Sequence, residues 1–333
     1  MIRSIQEVYQ YIHSLPPKKV AVAQAADSHV LQAVSAAYAE GYALPVLVGD
    51  KARICATAEA EHIDITPFGI VPADSDEEAA AKAVQMVHEG QADVVMKGLM
   101  DSSMFLRAVL NKEYGLRKSG ASMSAIAVVE LRKLGRLVFI TDPGITPVPD
   151  MAAKINITKN AVDIAHRFGI ETPVVAALSA AETLNKNMLS SVEAAELAAM
   201  SERGELGQCH VMGPISLDLA LSAEAAEEKG YRHPCAGQAD IVLVPTIEVG
   251  NALYKSLMLF ADMQTGGIMA GTAAPVCSVP GRTRPRQRRT RWPWLCIWPR
   301  RRELTHEKLS RICGEPRLYL HQGGTVRRGA DSI

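Results

Sequence analysis

Through the first 276 residues, short apolar runs alternate with longer Ala- and Glu-rich stretches of helical period, the pattern of an α/β protein with mainly parallel sheets. Lys19 to Ala23, Leu44 to Val48 and Ala92 to Met96 predict strands. Between them, Ser28 to Glu40 predicts a helix with Asp27 or Ser28 as its cap, and Glu77 to Glu89 a helix ended by Gly90. A second block predicts strands at Ser124 to Glu130, Leu137 to Thr141, Pro173 to Ala177, His210 to Met212 and Ile241 to Val244. Its helices fall at Asp150 to Phe168, Ser191 to Arg203, Ser222 to Lys229 and Gly250 to Met263. No internal repeat or low-complexity linker marks a domain boundary.

The longest apolar runs, such as Ala125 to Val129 and Ile241 to Pro245, fall far short of the roughly 20 residues that span a bilayer. Met1 to Tyr11 lacks the apolar core of a secretion signal. The expectation is a cytoplasmic protein that engages no membrane. With 333 residues and 48% apolar content the chain is long enough for two domains. Its six cysteines, at 55, 209, 235, 277, 296 and 313, have no metal-ligand spacing and are expected to be buried free thiols. The nine histidines form no cluster, and His166 is expected to be structural.

The net charge of zero hides a division. Residues 277 to 333 carry fourteen Lys or Arg against four acids, a net of +10, which leaves −10 for residues 1 to 276. All three tryptophans, Trp292, Trp294 and Trp298, also lie in that tail.

Polar residues and glycines cluster at the carboxyl ends of predicted strands, where open α/β sheets bind ligands. Lys97-Gly98 follows one, Thr141-Asp142-Pro143 another, Gly213-Pro214 a third, and Glu248, Gly250 and Asn251 a fourth; one shared crevice is the expectation. Lys97 is either a solvated strand-end lysine or a compact cation for phosphate. Asp142 before Pro143 is a turn former or an acid or base. Gly250-Asn251 is a helix cap or a set of N–H donors for an anion, and Arg107 either decorates its helix or reaches the site. No GxxxxGK[ST], GxGxxG or GxSxG pattern is present, so nucleotide hydrolysis, dinucleotide binding and α/β-hydrolase chemistry lose support.

Four ordered stretches carry a longer likeness. FITDPGITPVPDMAAK begins the segment 139 to 182, VMGPISLDLA begins 211 to 230, ADIVLVPTIEVGNALYKSL covers 239 to 257, and GIMAGTAAPV covers 267 to 276. Together they make residues 15 to 276 resemble the phosphate acetyl/butyryltransferase family, and the GP-x-x-x-D and GN-x-x-YK forms are closer to its butyryl branch. The resemblance implies an α/β, two-domain isocitrate/isopropylmalate-dehydrogenase-like fold, three layers α/β/α around mainly parallel sheets, with the active site between domains. On that basis residues 1–120 form the first domain, normally completed by the C-terminal segment, 121–276 the second, and 277–333 an aberrant, disordered basic tail.

It further implies acyl transfer between coenzyme A and inorganic phosphate as substrates, in one ternary complex, with no tightly bound cofactor and no metal. Tyr254 and Lys255 match the family's acyl-phosphate-binding Tyr-Lys. Lys97, Gly98, Ser102, Ser103 and Arg107 are looser candidates for phosphate or coenzyme A, joined by Gly213, Pro214 and Asn251, with Asp142 the candidate acid or base. A homo-oligomer is expected, coupled in function to a butyrate or acetate kinase. Phosphate acetyl transfer is the alternative; a metal-dependent dehydrogenase of similar fold would need acidic ligands that do not assemble here.

After Pro275-Val276 the family continues with a strand, Ser-Arg-Ala-Asp-Ser and an apolar helix, whereas this chain reads CSVPGRTRPRQRRTRWPWLC. If each codon is read from the last base of the one before, Pro280-Gly281-Arg282-Thr283-Arg284 permits Arg-Ala-Asp-Ser, and Arg291 to Pro299 permits Met-Ala-Leu-Ala-Leu-Tyr-Met-Ala. Shifted the other way, Glu315 to Gly323 permits Asn-Pro-Gly-Ser-Thr-Ser-Thr-Lys, which resembles the opening motif of acetate and butyrate kinases. A one-base deletion near the Val276 codon accounts for both. The expected consequences are loss of the family's Ser-Arg pair and exposed apolar surface where the last strand and helix belong. Nucleic-acid binding by the Arg- and Trp-rich tail is the competing reading of the same residues.

Overall fold

The computed structural model describes residues 2–278 apart from 119, 121, 132 and 262, together with the backbone of residues 291 and 292. The segments read in shifted frames lie otherwise outside the described residues.

The first half of the chain contains α1 (Ile5–His13), β1 (Lys18–Ala23), α2 (Ser28–Ala39), β2 (Ala43–Gly49), α3 (Lys51–Ala60), β3 (Gly69–Pro72), α4 (Asp76–His88), β4 (Val94–Lys97) and α5 (Ser102–Val109). It continues with β5 (Ser124–Leu131), β6 (Arg136–Thr141), α6 (Met151–Arg167), β7 (Val174–Leu178), α7 (Leu189–Glu202), β8 (His210–Ile215), α8 (Leu217–Leu221) and α9 (Ala223–Glu228). β9 (Ile241–Leu243), α10 (Ile247–Phe260), β10 (Gln264–Ala270), β11 (Val276–Ser278) and a two-residue β12 (Arg291–Trp292) follow.

Caps fix many helix starts as the sequence leads one to expect. The Asp27 carboxylate accepts the N–H groups of His29 and Val30 to start α2, and Asp150 accepts that of Ala153 to start α6. Gly90, at φ +75°, follows α4 in the left-handed conformation that a helix exit uses. Periodicity alone does not single out α1, although Ile5, Val8, Tyr11 and Ile12 form its buried stripe. Ser4 caps it by accepting the Glu7 N–H, while the Glu7 carboxylate accepts the Arg3 N–H, a close variant of a capping box.

The strands form one sheet in the order β3-β2-β1-β4-β11-β10-β5-β6-β9-β7-β8, with β12 beside β10. Alternation along each strand builds the layers. Val20, Val22, Met96, Val128, Phe139 and Leu243 join one core that runs along a whole face of the sheet. On the other face, Ala21, Ala23 and Val95 pack with α4 and α5 residues in a second core. Val129, Val138, Ile140 and Val242 belong to a third. Helices therefore cover both faces of a mostly parallel sheet, the three-layer α/β/α arrangement expected from the sequence.

Residues up to 120 supply β1 to β4, residues 124 to 270 supply β5 to β10, and β11 returns to pair with β4. α1 reaches across this division, because the Ile2 N–H donates to the Phe168 carbonyl and the Ile5 N–H to the Glu130 carboxylate. The expectation of buried cysteines holds for Cys209 and Cys277 and not for Cys55, which is exposed on α3, or for Cys235, which is part-buried; Cys296 and Cys313 lie outside the described residues. His166 lies in the last turn of α6, bonded through Nε2 to the Gln208 carbonyl oxygen at 3.0 Å.

Candidate active site

Strand direction decides which strand ends can meet. β1 to β4 and β11 run parallel, β10 and β5 each reverse direction, and β6 is antiparallel to β5. β9, β7 and β8 follow β6, so their carboxyl ends point opposite to those of β1, β2 and β4. The candidate residues thus form two groups rather than one row. Stagger brings the groups to a similar level: Val95 pairs with Val276, Val276 with Met269 and Met269 with Ala125, whose N–H donates to Asp142 Oδ1. Lys97 lies two residues past Val95, and four strand spacings, about 19 Å across the sheet, separate β4 from β6.

The first group stands at the end of β4. Lys97 is half-buried, and its Nζ donates to the Met100 carbonyl at 2.6 Å and the Gly98 carbonyl at 3.3 Å. Burial pushes its ammonium below the usual lysine range, an effect that the carboxylate of Asp101 opposes. Gly98 is pressed against the end of β1. A Cβ there would lie 2.2 Å from the Gln24 carbonyl oxygen and 2.6 Å from that of Ala23. Gly98→Ala is therefore expected to destabilise the fold by about 1–3 kcal/mol, read as a lower midpoint in thermal unfolding.

Asp101 caps α5, accepting the N–H groups of Ser103 and Met104 and the Ser103 hydroxyl. Those bonds hold its carboxyl below the usual range. Ser102 and Ser103 are exposed beside Lys97, and the exposed Arg107, four residues after Ser103, shares its helix face one turn further along.

The second group gathers around the loop after β6. Asp142 is buried, at 3% exposure. Its carboxylate accepts N–H groups from Ala125, Gly144, Ile145 and Thr146, at 3.0 to 3.3 Å. α10 begins at Ile247 with Thr246 as its cap, so Gly250 and Asn251 lie inside the helix and not at its start, and the Gly250 N–H is already bonded to the Thr246 carbonyl; this part of α10 closes on the loop instead. A Cβ on Gly250 would meet the Pro143 Cα at 2.9 Å and the Asp142 carbonyl at 3.0 Å, while Asn251 Nδ2 donates to the Pro143 carbonyl at 3.4 Å. Ile145 packs into the core that also holds Met100 and Phe105, which links the loop to the β4 side of the sheet.

Four candidates lie apart from both groups. Gly213 is in β8, where a Cβ would meet Ala177 and Ala194 side chains at 2.9 and 3.1 Å, so close packing of β8 on β7 and α7 accounts for the glycine; the bond to Pro214 is cis. Tyr254 packs against the third core, its hydroxyl 3.5 Å from Thr265 Oγ1. Thr265 pairs with Val129, four residues along β5 from Ala125, so this hydroxyl stands about 13 Å along the sheet from the Asp142 level. Lys255 is exposed on α10.

Two features escape motif reading. Gln24, the residue after β1, is buried and bonded through Nε2 to Asp76 Oδ1 at 2.5 Å; a polar residue closing an apolar strand is the same signal that marks Lys97. Lys154 of α6 forms a buried ion pair with Glu193 of α7, beside a shallow depression lined by Leu178, Ser190 and Pro245. Only tertiary packing joins those two charges. Among the described residues, no group of three or more His, Cys, Asp or Glu side chains is placed to hold a metal ion, and no helix is long and apolar enough to cross a membrane.

Comparison with known proteins adds what geometry alone does not supply. Residues 75–280 match the family profile described as "Phosphate acetyl/butaryl transferase". The chain is 47% identical over 276 residues to phosphate butyryltransferase of Clostridium acetobutylicum, covering 83% of this chain and 91% of that one. A branched-chain phosphotransacylase from Enterococcus faecalis V583 superposes with a TM-score of 0.73 at 32% identity, over 84% of this chain and 96% of that one. A 4-hydroxythreonine-4-phosphate dehydrogenase from Klebsiella pneumoniae, 12% identical with a TM-score of 0.53 over 84% of this chain and 98% of that one, shares the fold alone. With the profile covering well over half its length and a relative this similar, the chain belongs to the phosphate acetyl/butyryltransferase family of acyltransferases.

Proposed function

We propose that the chain is built for acyl transfer between coenzyme A and inorganic phosphate, with butyryl-CoA as the acyl donor and butyryl phosphate as the product. The observation that carries this reading is the 47% identity to a phosphate butyryltransferase, which extends over 276 residues, 83% of the chain. A phosphate oxygen attacks the thioester carbonyl carbon, the carbon–sulfur bond breaks, and the proton given up by hydrogen phosphate ends on the coenzyme A sulfur. Such a reaction asks the protein to hold phosphate with cations, to align it, and to stabilise a tetrahedral oxyanion.

Lys97 is the proposed phosphate cation. Two of its three N–H donors face loop carbonyls, which fixes the ammonium and leaves one donor for an anion. Gly98 permits the close approach of β4 to β1, and Ser102, Ser103 and Arg107 form the polar rim of the same strand end. Asp142 serves as the anchor of the β6–α6 loop, its carboxylate accepting four backbone N–H groups. Gly250 and Asn251 dock α10 on that loop, Gly213 and Pro214 shape the edge strand β8, and the family resemblance alone makes Tyr254 and Lys255 an acyl-phosphate surface on α10.

The proposal includes a two-lobe organisation, 1–120 and 121–276, with a C-terminal segment completing the first lobe beside β11. It also includes a homo-oligomeric, cytoplasmic enzyme without a tightly bound cofactor, whose acyl phosphate is consumed by an acyl kinase. Chain-length preference is tested with the chain whose frame is restored after Val276. kcat/KM for butyryl-CoA is expected to exceed that for acetyl-CoA by about tenfold or more, since two further methylenes contribute roughly 0.8 kcal/mol each when buried. A preference for acetyl-CoA would transfer the assignment to the acetyl branch.

A further inference from the structure

We infer that Gln24 is a positioning residue for Lys97, acting through a clamp that joins the ends of β1, β2 and β4 to the first turn of α4. This role goes beyond the family's motifs, which do not include residue 24, and it rests on the reading of Lys97 as the phosphate cation.

Gln24 has φ +52°, in the left-handed region that side chains other than glycine, asparagine and aspartate seldom adopt. That turn aims its carbonyl at β4, where it accepts the Leu99 N–H at 3.0 Å, one residue beyond the Gly98 N–H bonded to Ala23 at 2.8 Å. Lys97 itself pairs with Ala23 in the ladder. The path of residues 97 to 100 is therefore traced on the carbonyls of 23 and 24, and the Met100 carbonyl at the end of that path receives the Lys97 ammonium.

The side chain holds this turn in place. Gln24 is 6% exposed, its Nε2 donates to Asp76 Oδ1, and its Oε1 is buried without a partner among the described residues. A Cβ on Gly49, at the end of β2, would come within 2.9 Å of that Oε1, so glycine there is what admits the carboxamide. A buried acceptor left without a partner is unfavourable, and a left-handed glutamine adds to it. Leucine or methionine would fill the same space without the unsatisfied oxygen. Retaining an amide is explained if its bond to Asp76 is what keeps the Gln24 carbonyl, and through it Lys97, in register.

The test is competitive acetylation of the full chain with acetic anhydride across pH, with Lys97 followed by peptide mass spectrometry, with and without inorganic phosphate. In the unmutated chain Lys97 is expected to titrate below the exposed lysines and to be protected by phosphate. Gln24→Met keeps the length and removes the amide. Asp76→Ala removes the acceptor from a half-exposed helix turn, which guards against a Gln24 variant that fails to fold. Both are expected to move the Lys97 midpoint up to the range of the exposed lysines and to raise the phosphate concentration for half-protection at least tenfold. Asp76→Asn, which keeps an acceptor oxygen, is expected to behave as the unmutated chain. A folded Gln24→Met or Asp76→Ala chain with an unchanged Lys97 midpoint and unchanged protection overturns the positioning role. Absence of phosphate protection both in the unmutated chain and in the frame-restored protein overturns the phosphate reading of Lys97, whereas the midpoints still decide whether Gln24 positions it.

Discussion

Replacing residues 277–333 by the family-like segment that the shifted frame permits, which gives the frame-restored protein, is expected to raise coenzyme A-dependent cleavage of butyryl phosphate by about 10³-fold or more over the present chain. The family's Ser-Arg-Ala-Asp-Ser follows its Pro-Val, at the end of the strand that β11 begins here. β11 pairs with β4 in the register Val276 to Val95, Cys277 to Met96 and Ser278 to Lys97. A serine and an arginine two and three residues beyond Ser278 would therefore emerge at the strand end that carries Lys97 and Gly98, the proposed phosphate cation. In this chain those positions read Pro280-Gly281. Loss of a single well-placed donor to a tetrahedral oxyanion reduces turnover by about 10²–10³-fold, and here a hydroxyl and a guanidinium are absent together. Comparable turnover by the two proteins would mean that the substituted segment is not part of the machinery.

Lys97→Ala in the frame-restored protein is expected to reduce kcat/KM for phosphate by about 10²–10³-fold, with KM for butyryl-CoA changed far less. The same cation has a pH signature. Burial lowers its proton affinity, so phosphate binding is expected to be intact at neutral pH and to fall as pH rises through a midpoint below that of an ordinary lysine. Bound phosphate, by stabilising the ammonium, moves that midpoint upward again. Equal losses with both substrates would instead indicate a general weakening of the fold around β4.

Much of the fold is legible in the chain because its strands are short, apolar and bounded by capped helices. Lys19 to Ala23 and Ser124 to Glu130 match β1 and β5 within a residue at either end, and Asp27 and Asp150 cap the helices that follow. β3, with half of its residues exposed, lacks the apolar run that marks an edge strand from sequence, and β10 contains Gly266 and Gly267, which dilute its pattern. The site is legible only one strand end at a time. Lys97 and Asp142 stand out locally, yet their relation depends on three successive antiparallel pairings, β11–β10, β10–β5 and β5–β6, a property of pairing and not of any one segment. Gln24 carries no motif; its φ, its bond to Asp76 and its place beneath Gly98 exist only once three strands are side by side.

The account's central claim is acyl transfer to phosphate, and phosphorus NMR of the frame-restored protein with butyryl-CoA and inorganic phosphate tests it most directly. The expected result is an acyl phosphate resonance that grows in step with free thiol, one for one, and reverses on addition of coenzyme A. Free thiol released without acyl phosphate, or no reaction from a protein that unfolds cooperatively, would contradict it.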